Sequence, residues 1–179
     1  MSFSATQNNL VEAGDPLADR KAYRRCLGQF ATGITVVTAE HEGRRVGVTV
    51  NSFTSRSLTP PLVMWSISRG SRSYAVFRQA RRFGVNVLTM DQVRLSQHFS
   101  GASDDKFANC DWSAEDDSSP MLSGMVAFFK CSTEALHDAG DHAIMIERVA
   151  QFARFDKEPL VFARGRYDVL HTSMSGGAA

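Results

Sequence analysis

The spacing of apolar residues changes from a helical to a strand-like period near residue 30. Four apolar side chains recur at the spacing of one helical face: Tyr23, Cys26, Leu27 and Phe30. This spacing predicts a first helix over residues 18–30. The β-branched run over residues 34–39 then predicts a strand, and Glu42 and Gly43 form a turn-like pair after it. We therefore expect the first two strands to pair as a hairpin.

The second and third predicted strands each carry a polar side. Residues 46–51 alternate, with three valines on one face: Val46, Val48 and Val50. Thr49 and Asn51 lie on the opposite face. The third strand is predicted over residues 62–68, after two prolines that cannot donate ladder hydrogen bonds, and it puts two serines on one side: Ser66 and Ser68. An unpaired buried donor or acceptor costs roughly 1–3 kcal/mol, so we expect these polar sides to converge on a ligand rich in acceptors.

The remaining pattern adds two short helices and four strands. In chain order it predicts a helix opened by Ser71 and Ser73, a strand over 83–88, a helix capped by Asp91, strands over 126–136 and 143–155, and a last strand over 160–170. Residues 101–120 are polar and predict a long surface loop with at most one helical turn, the expected lid or partner surface. The pattern as a whole predicts a mainly β barrel with two or three peripheral helices.

Size and charge limit what the chain can do. Its 179 residues and 19.7 kDa, with 43% hydrophobic content, suit one domain with one substantial core. We place that domain at residues 18–170, between a flexible N-terminal arm at 1–17 and a flexible C-terminal tail at 171–179. Twenty Lys and Arg residues oppose nineteen Asp and Glu residues, a net charge of +1. No strong field is therefore available to attract nucleic acid or an anionic membrane.

Cysteine usage bears on the cellular compartment. Cys26, Cys110 and Cys131 are odd in number and share no C-x-x-C spacing, which disfavours a disulfide framework and a thiolate zinc site. The first residues lack the order of a secretory signal, and no apolar run approaches membrane-spanning length. The expected location is a reducing cytoplasm.

Several catalytic signatures are missing from the sequence. The pattern Gly28-x4-Gly33 is followed by Ile34, where a phosphate-binding loop of the Walker type needs lysine. The histidines show no metal-binding spacing, and no G-x-S-x-G elbow supports a serine hydrolase. Metal-assisted and serine-based hydrolysis are therefore disfavoured.

Small polar residues and arginines form the first group of candidate binding residues. Thr49, Asn51 and Ser52 carry the hydroxyl and amide groups of an anion-friendly concavity. Ordinary strand-edge and turn chemistry explains the same pattern. Arg69 and Arg72 follow the third strand and would add charge-assisted hydrogen bonds to a ligand.

A second group of motifs admits both a structural and a functional interpretation. Lys106 is either a loop lysine or a ligand contact, and Phe-Ser-Gly at 99–101 is by itself a helix C-cap. His142 stands at a hairpin corner, where an exposed turn histidine and a ligand-binding histidine are both expected. In Arg-Gly-Arg-Tyr at 164–167, the glycine either marks a bulge or lets a ligand approach closely. Spacing alone does not choose between these interpretations.

Taken together, these segments resemble the short-chain flavin reductases, the small components of two-component flavin-dependent monooxygenases. The resemblance covers about residues 18–170. Its motifs occur in this order: F-A-T-G-I-T-V-V-T at 30–38, the block at 47–61, F-G-V-N-V-L at 83–88, Q-H-F-S-G at 97–101, G-D-H at 140–142 and G-R-Y at 165–167. The reductases that serve chlorophenol, phenol or hydroxyphenylacetate oxygenases are the most similar ones.

The resemblance implies an FMN-binding split β-barrel, an antiparallel Greek-key barrel with flanking helices, that works as a homodimer. It implies hydride transfer from NADH to FAD, or FMN, by alignment of the two cofactors without an acid or base residue. Reduced flavin would pass to a separate oxygenase that hydroxylates an aromatic compound of the phenol or chlorophenol type. The implied flavin-binding residues are Thr49, Val50, Asn51, Ser52, Ser55, Ser66, Ile67, Ser68, Arg69, Gly70, Ser71, Arg72, Phe99, Ser100, Gly101 and Lys106. The implied NADH-binding residues are His142, beside the nicotinamide, and Arg164, Gly165, Arg166 and Tyr167.

One position departs from the family pattern. Glu147 stands where the family commonly has glycine, so we expect altered packing near the nicotinamide side. Two other functions remain open on the same barrel, because a fold does not dictate an activity. One is a non-catalytic flavin or haem carrier, and the other is an enzyme related to pyridoxamine-phosphate oxidase.

Overall fold

The structure is a computed structural model that describes residues 9–103, 105–114 and 119–170. Three helices lie in this described part: α1 (Arg20–Leu27), α2 (Tyr74–Gln79) and α3 (Val93–Ser100). Its strands are β1 (Thr32–Gly33), β2 (Thr35–His41), β3 (Arg44–Val50), β4 (Thr54–Leu58), β5 (Pro61–Ser68), β6 (Arg82–Val87), β7 (Trp112–Ser113), β8 (Met121–Leu122), β9 (Ala127–Ala139), β10 (His142–Arg154), β11 (Val161–Ala163) and β12 (Arg166–Asp168). The prediction of a mainly β chain with peripheral helices is confirmed.

Seven strands form one antiparallel sheet in the order β3-β2-β6-β9-β10-β5-β4. Hairpins join β2 to β3, β4 to β5 and β9 to β10, whereas β6 follows α2 and enters the sheet between β2 and β9. The long β9–β10 hairpin shifts register between Ile146 and Glu147 and again between Val149 and Gln151. Such bulges bend a strand and increase its twist, which helps the sheet to curl around an apolar interior.

Strand β2 separates two apolar clusters. Val37 and Ala39 belong to the cluster that also contains Trp65, which we call the barrel core. Val36 packs instead with Phe99 in a second cluster, which we call the α3 core. Successive side chains of a strand point to opposite faces, so β2 is buried on both of them. The α3 core seats helix α3 and the small sheet β1–β11–β12 against β2.

The first predicted hairpin is confirmed. Strands β2 and β3 pair from Thr35 with Val50 to His41 with Arg44. Glu42 and Gly43 have φ angles of 50° and 75°, the left-handed values that a two-residue type I′ turn requires. The turn therefore fixes the register that sets the orientation of Val46, Val48 and Val50.

Two predicted elements have different bounds in the structure. Helix α1 ends at Leu27 rather than at residue 30, because the N–H groups of Gln29 and Phe30 donate to carbonyls three residues back rather than four. The predicted last strand over 160–170 is instead the β11–β12 hairpin. Arg164 and Gly165 have φ angles of 54° and 73° and turn the chain back on itself, so the glycine marks a turn rather than a bulge.

The predicted helix caps were also partly wrong. Asp91 does not cap α3, because its carboxylate accepts a hydrogen bond from the Thr89 hydroxyl and Gln92 takes the N-cap position. Ser73 takes the N-cap position of α2 but makes no side-chain capping bond. Strand β4 was not predicted, since its sequence T-S-R-S-L is polar, and it lies at the edge of the sheet with one ladder neighbour.

The segment predicted as a surface loop over 101–120 is partly buried. Phe107 packs in the α3 core, and β7 pairs with β8. Residues 104 and 115–118 of that loop, residues 1–8 of the predicted arm and the whole predicted tail at 171–179 lie outside the described residues. The domain boundaries at 18 and 170 stay predictions. No helix in the described part has the length and apolar character needed to cross a bilayer.

Candidate active site

An open cleft of about 620 Å³ lies where the β3–β4 connection faces the end of helix α1. Asn51 and Ser52 line one side of it, and Leu27 and Phe30 line the other. Leu27 and Phe30 are large apolar side chains with exposed fractions of 56% and 79%. The cleft therefore combines hydrogen-bonding groups with an apolar wall, as small-molecule sites commonly do.

Ser52, the residue directly after Asn51 at the end of the predicted second strand, contacts the predicted third strand. The Ser66 N–H donates to Ser52 Oγ at 2.9 Å, and Ser52 Oγ lies 3.4 Å from the Ser66 carbonyl. This pair ties the β3–β4 connection to β5. Asn51 lies directly before the anchored Ser52, and its side chain is exposed in the cleft.

Strand β5 connects the cleft to the Gly-Asp-His corner. Ser68 pairs with His142 in the ladder between β5 and β10, and Ser66 lies two residues before Ser68, a distance of about 7 Å along a strand. The Arg69 N–H donates to the Asp141 carbonyl at 3.0 Å. The structure thus brings the end of the segment predicted to bind flavin against the motif predicted to bind nicotinamide.

The His142 side chain is half-buried and oriented by its neighbour. Its Nδ1 lies 2.7 Å from Asp141 Oδ1, and this hydrogen bond is the main cause of a lowered pKa of the Asp141 carboxyl. Gly140, with φ of 62°, supplies the left-handed turn residue that places Asp141 and His142 at the start of β10. Nε2 of His142 is the ring atom that points away from this carboxylate.

Lys106 is half-buried between strand β3 and helix α3. Its Nζ donates to the Phe99 carbonyl at 2.6 Å and to the Gly47 carbonyl at 3.1 Å, and its own carbonyl lies 2.8 Å from His98 Nε2. Burial lowers the pKa of Lys106. The ammonium group therefore fastens the loop after α3 to the strand that leads into the cleft.

Gly47 is required for this close approach of α3 to β3. A Cβ atom at this position would lie 2.5 Å from Cδ1 of the fully buried Phe99 ring, far inside van der Waals contact. The glycine thus lets the C-terminal end of α3 pack directly on the strand that carries Thr49.

Three predicted flavin residues present their side chains to the protein interior. Val50 and Ile67 belong to the barrel core, and Phe99 belongs to the α3 core, with exposed fractions of 8%, 2% and 0%. Only their backbone groups can contact a ligand. The Thr49 hydroxyl is half-buried and donates to the Ser96 carbonyl at 2.7 Å, which leaves its lone pairs to accept a hydrogen bond.

The other predicted flavin residues lie at the surface around these groups. The Gly70 N–H donates to Ser68 Oγ at 3.2 Å, and Ser71 Oγ accepts from the Ser73 N–H at 3.3 Å. Ser100 Oγ donates to the Gln97 carbonyl at 2.8 Å. Ser55 and Arg72 are exposed. Gly101 is the C-cap of α3, so the predicted capping role of residues 99–101 is confirmed.

The Arg-Gly-Arg-Tyr motif is placed by contacts with α1 and α3. The Arg164 N–H donates to the Gly28 carbonyl at 2.6 Å, and Arg164 Nε donates to Gln29 Oε1 at 3.1 Å. Tyr167 reaches the other way, with its hydroxyl 3.0 Å from Ser96 Oγ. Gly165 and Arg166 are exposed at the turn between them. The motif therefore borders the α1 side of the cleft.

Sequence reasoning missed Ser96 and the apolar wall of the cleft. Ser96 is fully buried on α3 and contacts both Thr49 and Tyr167. A signal was available, because Ser96 lies at i−3 from Phe99 and i+3 from Val93, on the apolar face of the predicted helix. The spacing of Leu27 and Phe30 predicted one apolar helical face, but not that both side chains are exposed at a cleft.

Glu147 lies inside the barrel rather than at the cleft. Its side chain is fully buried, its Oε1 accepts a weak hydrogen bond from Trp65 Nε1 at 3.4 Å, and its Oε2 has no partner among the described residues. Burial raises the pKa of Glu147 to about 8. The expected change in packing at this position is therefore a buried carboxyl group at the bulge in β10.

Comparison with known proteins identifies the family. The family model described as "Flavin reductase like domain" matches residues 27–171, most of the 179-residue chain. The chain belongs to the flavin reductase-like family. The predicted family and the split-barrel fold of this reductase are both confirmed.

Individual relatives cover most of this flavin reductase-like chain. It is 42% identical over 147 residues to the FMN reductase (NADH) SmoA of Agrobacterium fabrum, covering 82% of this chain and 84% of the relative. It is 40% identical over 158 residues to HsaB, the reductase subunit of a flavin-dependent monooxygenase of Rhodococcus jostii, covering 88% and 79%. Among solved structures, the NADH:FAD oxidoreductase SgcE6 of Streptomyces globisporus aligns with a TM-score of 0.86 at 33% identity, covering 92% of this chain and all of SgcE6.

Proposed function

We propose that this protein reduces FAD or FMN with NADH and releases the reduced flavin to a separate oxygenase component. One observation carries the proposal: strand β5 joins the cleft at Asn51 and Ser52 to the corner at Asp141 and His142. Two ligands that must touch each other would find their binding groups on one rigid strand. The names of the relatives SmoA, HsaB and SgcE6 support the same activity.

The residues of the cleft fit a flavin ring. An isoalloxazine has an apolar dimethylbenzene side and a pyrimidine edge rich in hydrogen-bonding groups. Leu27 and Phe30 offer apolar surface, whereas the Asn51 amide and the backbone beside Ser52 offer donors and acceptors. A cleft of about 620 Å³ lies in the range of ordinary small-molecule sites, roughly 300–1,000 Å³.

The protein acts by alignment rather than by acid–base chemistry. When bound, the flavin supplies the hydride acceptor for the nicotinamide of NADH. Such a transfer needs reacting atoms held about 3–3.5 Å apart, which is proximity catalysis. The Asn51 amide and the backbone beside Ser52 donate to the negative charge that develops at the ring edge, because the Thr49 hydroxyl already donates to the Ser96 carbonyl. Arg69, whose guanidinium pairs with Asp138 at 2.5 Å, and Arg72 are proposed to bind phosphate groups of the ligand. No residue of the cleft has to give or take a proton.

His142 positions the nicotinamide nucleotide in this proposal. The hydrogen bond of Nδ1 with Asp141 holds the imidazole ring in one orientation, so Nε2 is the ring nitrogen proposed to contact the nucleotide. Arg164 and Arg166, on the hairpin beside α1, supply positive charge for the phosphates of NADH. The assignments of Gly165 and Tyr167 to the same path rest on their place in that hairpin.

The partner is proposed to be a flavin-dependent oxygenase, and the working form a homodimer. HsaB and a trigonelline monooxygenase component of Acinetobacter baylyi, 40% identical over 145 residues, are named as reductases of such systems. The proposed substrate of that partner is a phenol or chlorophenol. The reductase itself does not select that substrate, because reduced flavin is the only group that it delivers.

Anaerobic stopped-flow mixing with NADH tests the proposal. Bleaching of bound FAD or FMN at rates well above those of free flavin is the expected result. Crossing both flavins with NADH and NADPH in steady state then gives the preferred pair. Flavin binding without bleaching would indicate a carrier instead, and bleaching by an amine substrate without NADH would indicate an oxidase.

A further inference from the structure

Ser96 is a buried polar residue on an otherwise apolar helix face, and it contacts two different parts of the candidate active site. Its exposed fraction is 0%. Its hydroxyl oxygen lies 3.0 Å from the Tyr167 hydroxyl, and its carbonyl accepts the Thr49 hydroxyl at 2.7 Å. Thr49 belongs to the proposed flavin side, and Tyr167 to the proposed nicotinamide side.

We propose that Ser96 is a positioning residue that holds the β11–β12 hairpin at a fixed place relative to strand β3, and so sets where NADH meets the flavin. This inference rests on the proposed function. It adds a residue outside the cleft that touches neither ligand. Its effect is exerted through Tyr167.

The two contacts of Ser96 use different atoms. Tyr167 is bound by the side chain of Ser96, whereas Thr49 is bound by the backbone carbonyl of Ser96. Replacement of Ser96 by alanine therefore removes the first contact and keeps the second. This separation makes the role of the hydroxyl testable without disturbing the flavin side.

The Tyr167 ring packs against Phe162 and against the edge of the α3 core. It meets Phe162 at a centroid distance of 5.4 Å, and Phe162 is its ladder neighbour on β11. That contact joins the two strands of the hairpin to each other. The hydroxyl bond to Ser96 joins the hairpin to α3. Without it, the half-buried Tyr167 hydroxyl lacks a partner and draws the hairpin toward solvent, because an unpaired buried polar group is costly.

Loss of the bond between Ser96 and Tyr167 would shift β12 relative to the turn at residues 164 and 165. Arg164 is anchored to Gly28 and Gln29, so the hairpin would tilt about this end and displace Tyr167 more than the turn. The expected consequence is weaker binding of NADH with little change in flavin affinity.

The experiment compares Ser96→Ala, Tyr167→Phe and the double variant with the parent protein. Each single variant should raise the apparent KM for NADH by roughly three- to tenfold, the equivalent of one net hydrogen bond, with kcat within about twofold. The apparent KM for NADH of the double variant should not exceed that of either single variant, since both substitutions remove the same hydrogen bond. Flavin Kd, from fluorescence titration, should stay within about twofold of the parent value. Thr49→Val should raise the flavin Kd more than the KM for NADH. Ser123→Ala serves as a control at an exposed position.

Hydrogen exchange of the ligand-free protein gives a readout that does not depend on activity. Amides of residues 161–168 should exchange faster in Ser96→Ala, while those of β3 stay as in the parent. An unchanged KM for NADH, multiplicative effects in the double variant, or equal loss of flavin and NADH binding would each overturn the role of Ser96. A parent protein that oxidises no NADH with either flavin would overturn the proposed function instead, and the exchange comparison would still decide whether Ser96 holds the hairpin.

Discussion

Replacement of Glu147 by glutamine should remove a pH-dependent loss of stability from the barrel. The parent carboxyl is fully buried, with one oxygen lacking a partner among the described residues and the other accepting a weak bond from Trp65. Burial raises its pKa from 4.5 to about 8. Between these values the folded chain keeps the proton that the unfolded chain releases, so stability falls as pH rises through this window and is level above it.

The size of the effect follows from the shift. Each pKa unit corresponds to about 1.4 kcal/mol. Between pH 5 and pH 8, Glu147 should therefore cost the parent protein roughly 3–4 kcal/mol of unfolding free energy. A glutamine side chain at this position keeps the shape and the acceptor for Trp65 but does not titrate. Its own burial cost is the same at every pH and cancels in the comparison.

Urea unfolding at pH 5, 6.5 and 8, followed by circular dichroism, measures the difference between the two proteins. The Glu147→Gln variant should gain stability relative to the parent by that amount across the series. Cys131, the neighbouring thiol whose pKa burial raises to about 12, stays protonated throughout. Parallel pH profiles for parent and variant would refute the reasoning.

Glu134→Gln provides a matched control one strand away. The hydrogen bond from Arg148 lowers the pKa of the exposed Glu134 carboxyl. A carboxyl with a lowered pKa contributes stability above its unfolded pKa, near 4.5, and loses it only as pH falls further. The difference between Glu134→Gln and the parent should therefore stay constant from about pH 5 to pH 8.

Three further changes test the site and its support. His142→Ala should raise the apparent KM for NADH about tenfold or more and leave flavin Kd nearly unchanged; equal damage to both would remove its assignment. Lys106→Met should weaken flavin binding more than NADH binding, because the carbonyls of Phe99 and Gly47 lose their shared donor, and an unaltered flavin titration would exclude it from the site. Gly47→Ala should cost roughly 1–3 kcal/mol by overpacking against Phe99, measured as a lower urea midpoint, whereas Gly33→Ala, with no atom within 4 Å of its Cβ position, should change the midpoint little.

The strands could be predicted where local chemistry decides their course. The hairpin at Glu42 and Gly43 follows from turn chemistry. The contact of Ser52 with Ser66 does not follow from alternation, which places Ser52 on the same side as Val50. The break at Arg164 and Gly165 was not predicted, because a glycine in a strand-like run indicates a bulge and a turn equally well. The turn is stabilised by the tertiary hydrogen bond between Arg164 and Gly28, directly after α1.

For the site residues, the sequence predicted positions but not where the side chains lie or what they contact. Resemblance supplied Val50, Ile67 and Phe99 as positions, but not that their side chains lie in the two cores. It supplied Lys106 as a ligand contact, whereas the structure gives its ammonium two backbone carbonyls as partners. Ser96 was not found, since its importance lies in two contacts at sequence separations of 47 and 71 residues. Its place on the apolar face of the predicted helix indicated burial, but the two partners of such long-range hydrogen bonds have no local pattern.

The double burial of β2 has a consequence for how the molecule can be divided. One face of this strand completes the barrel core and the other completes the α3 core. Neither apolar cluster is complete without this strand. We therefore expect fragments cut on either side of β2 to remain unstructured alone. The barrel core and the α3 core should unfold together, as one cooperative unit.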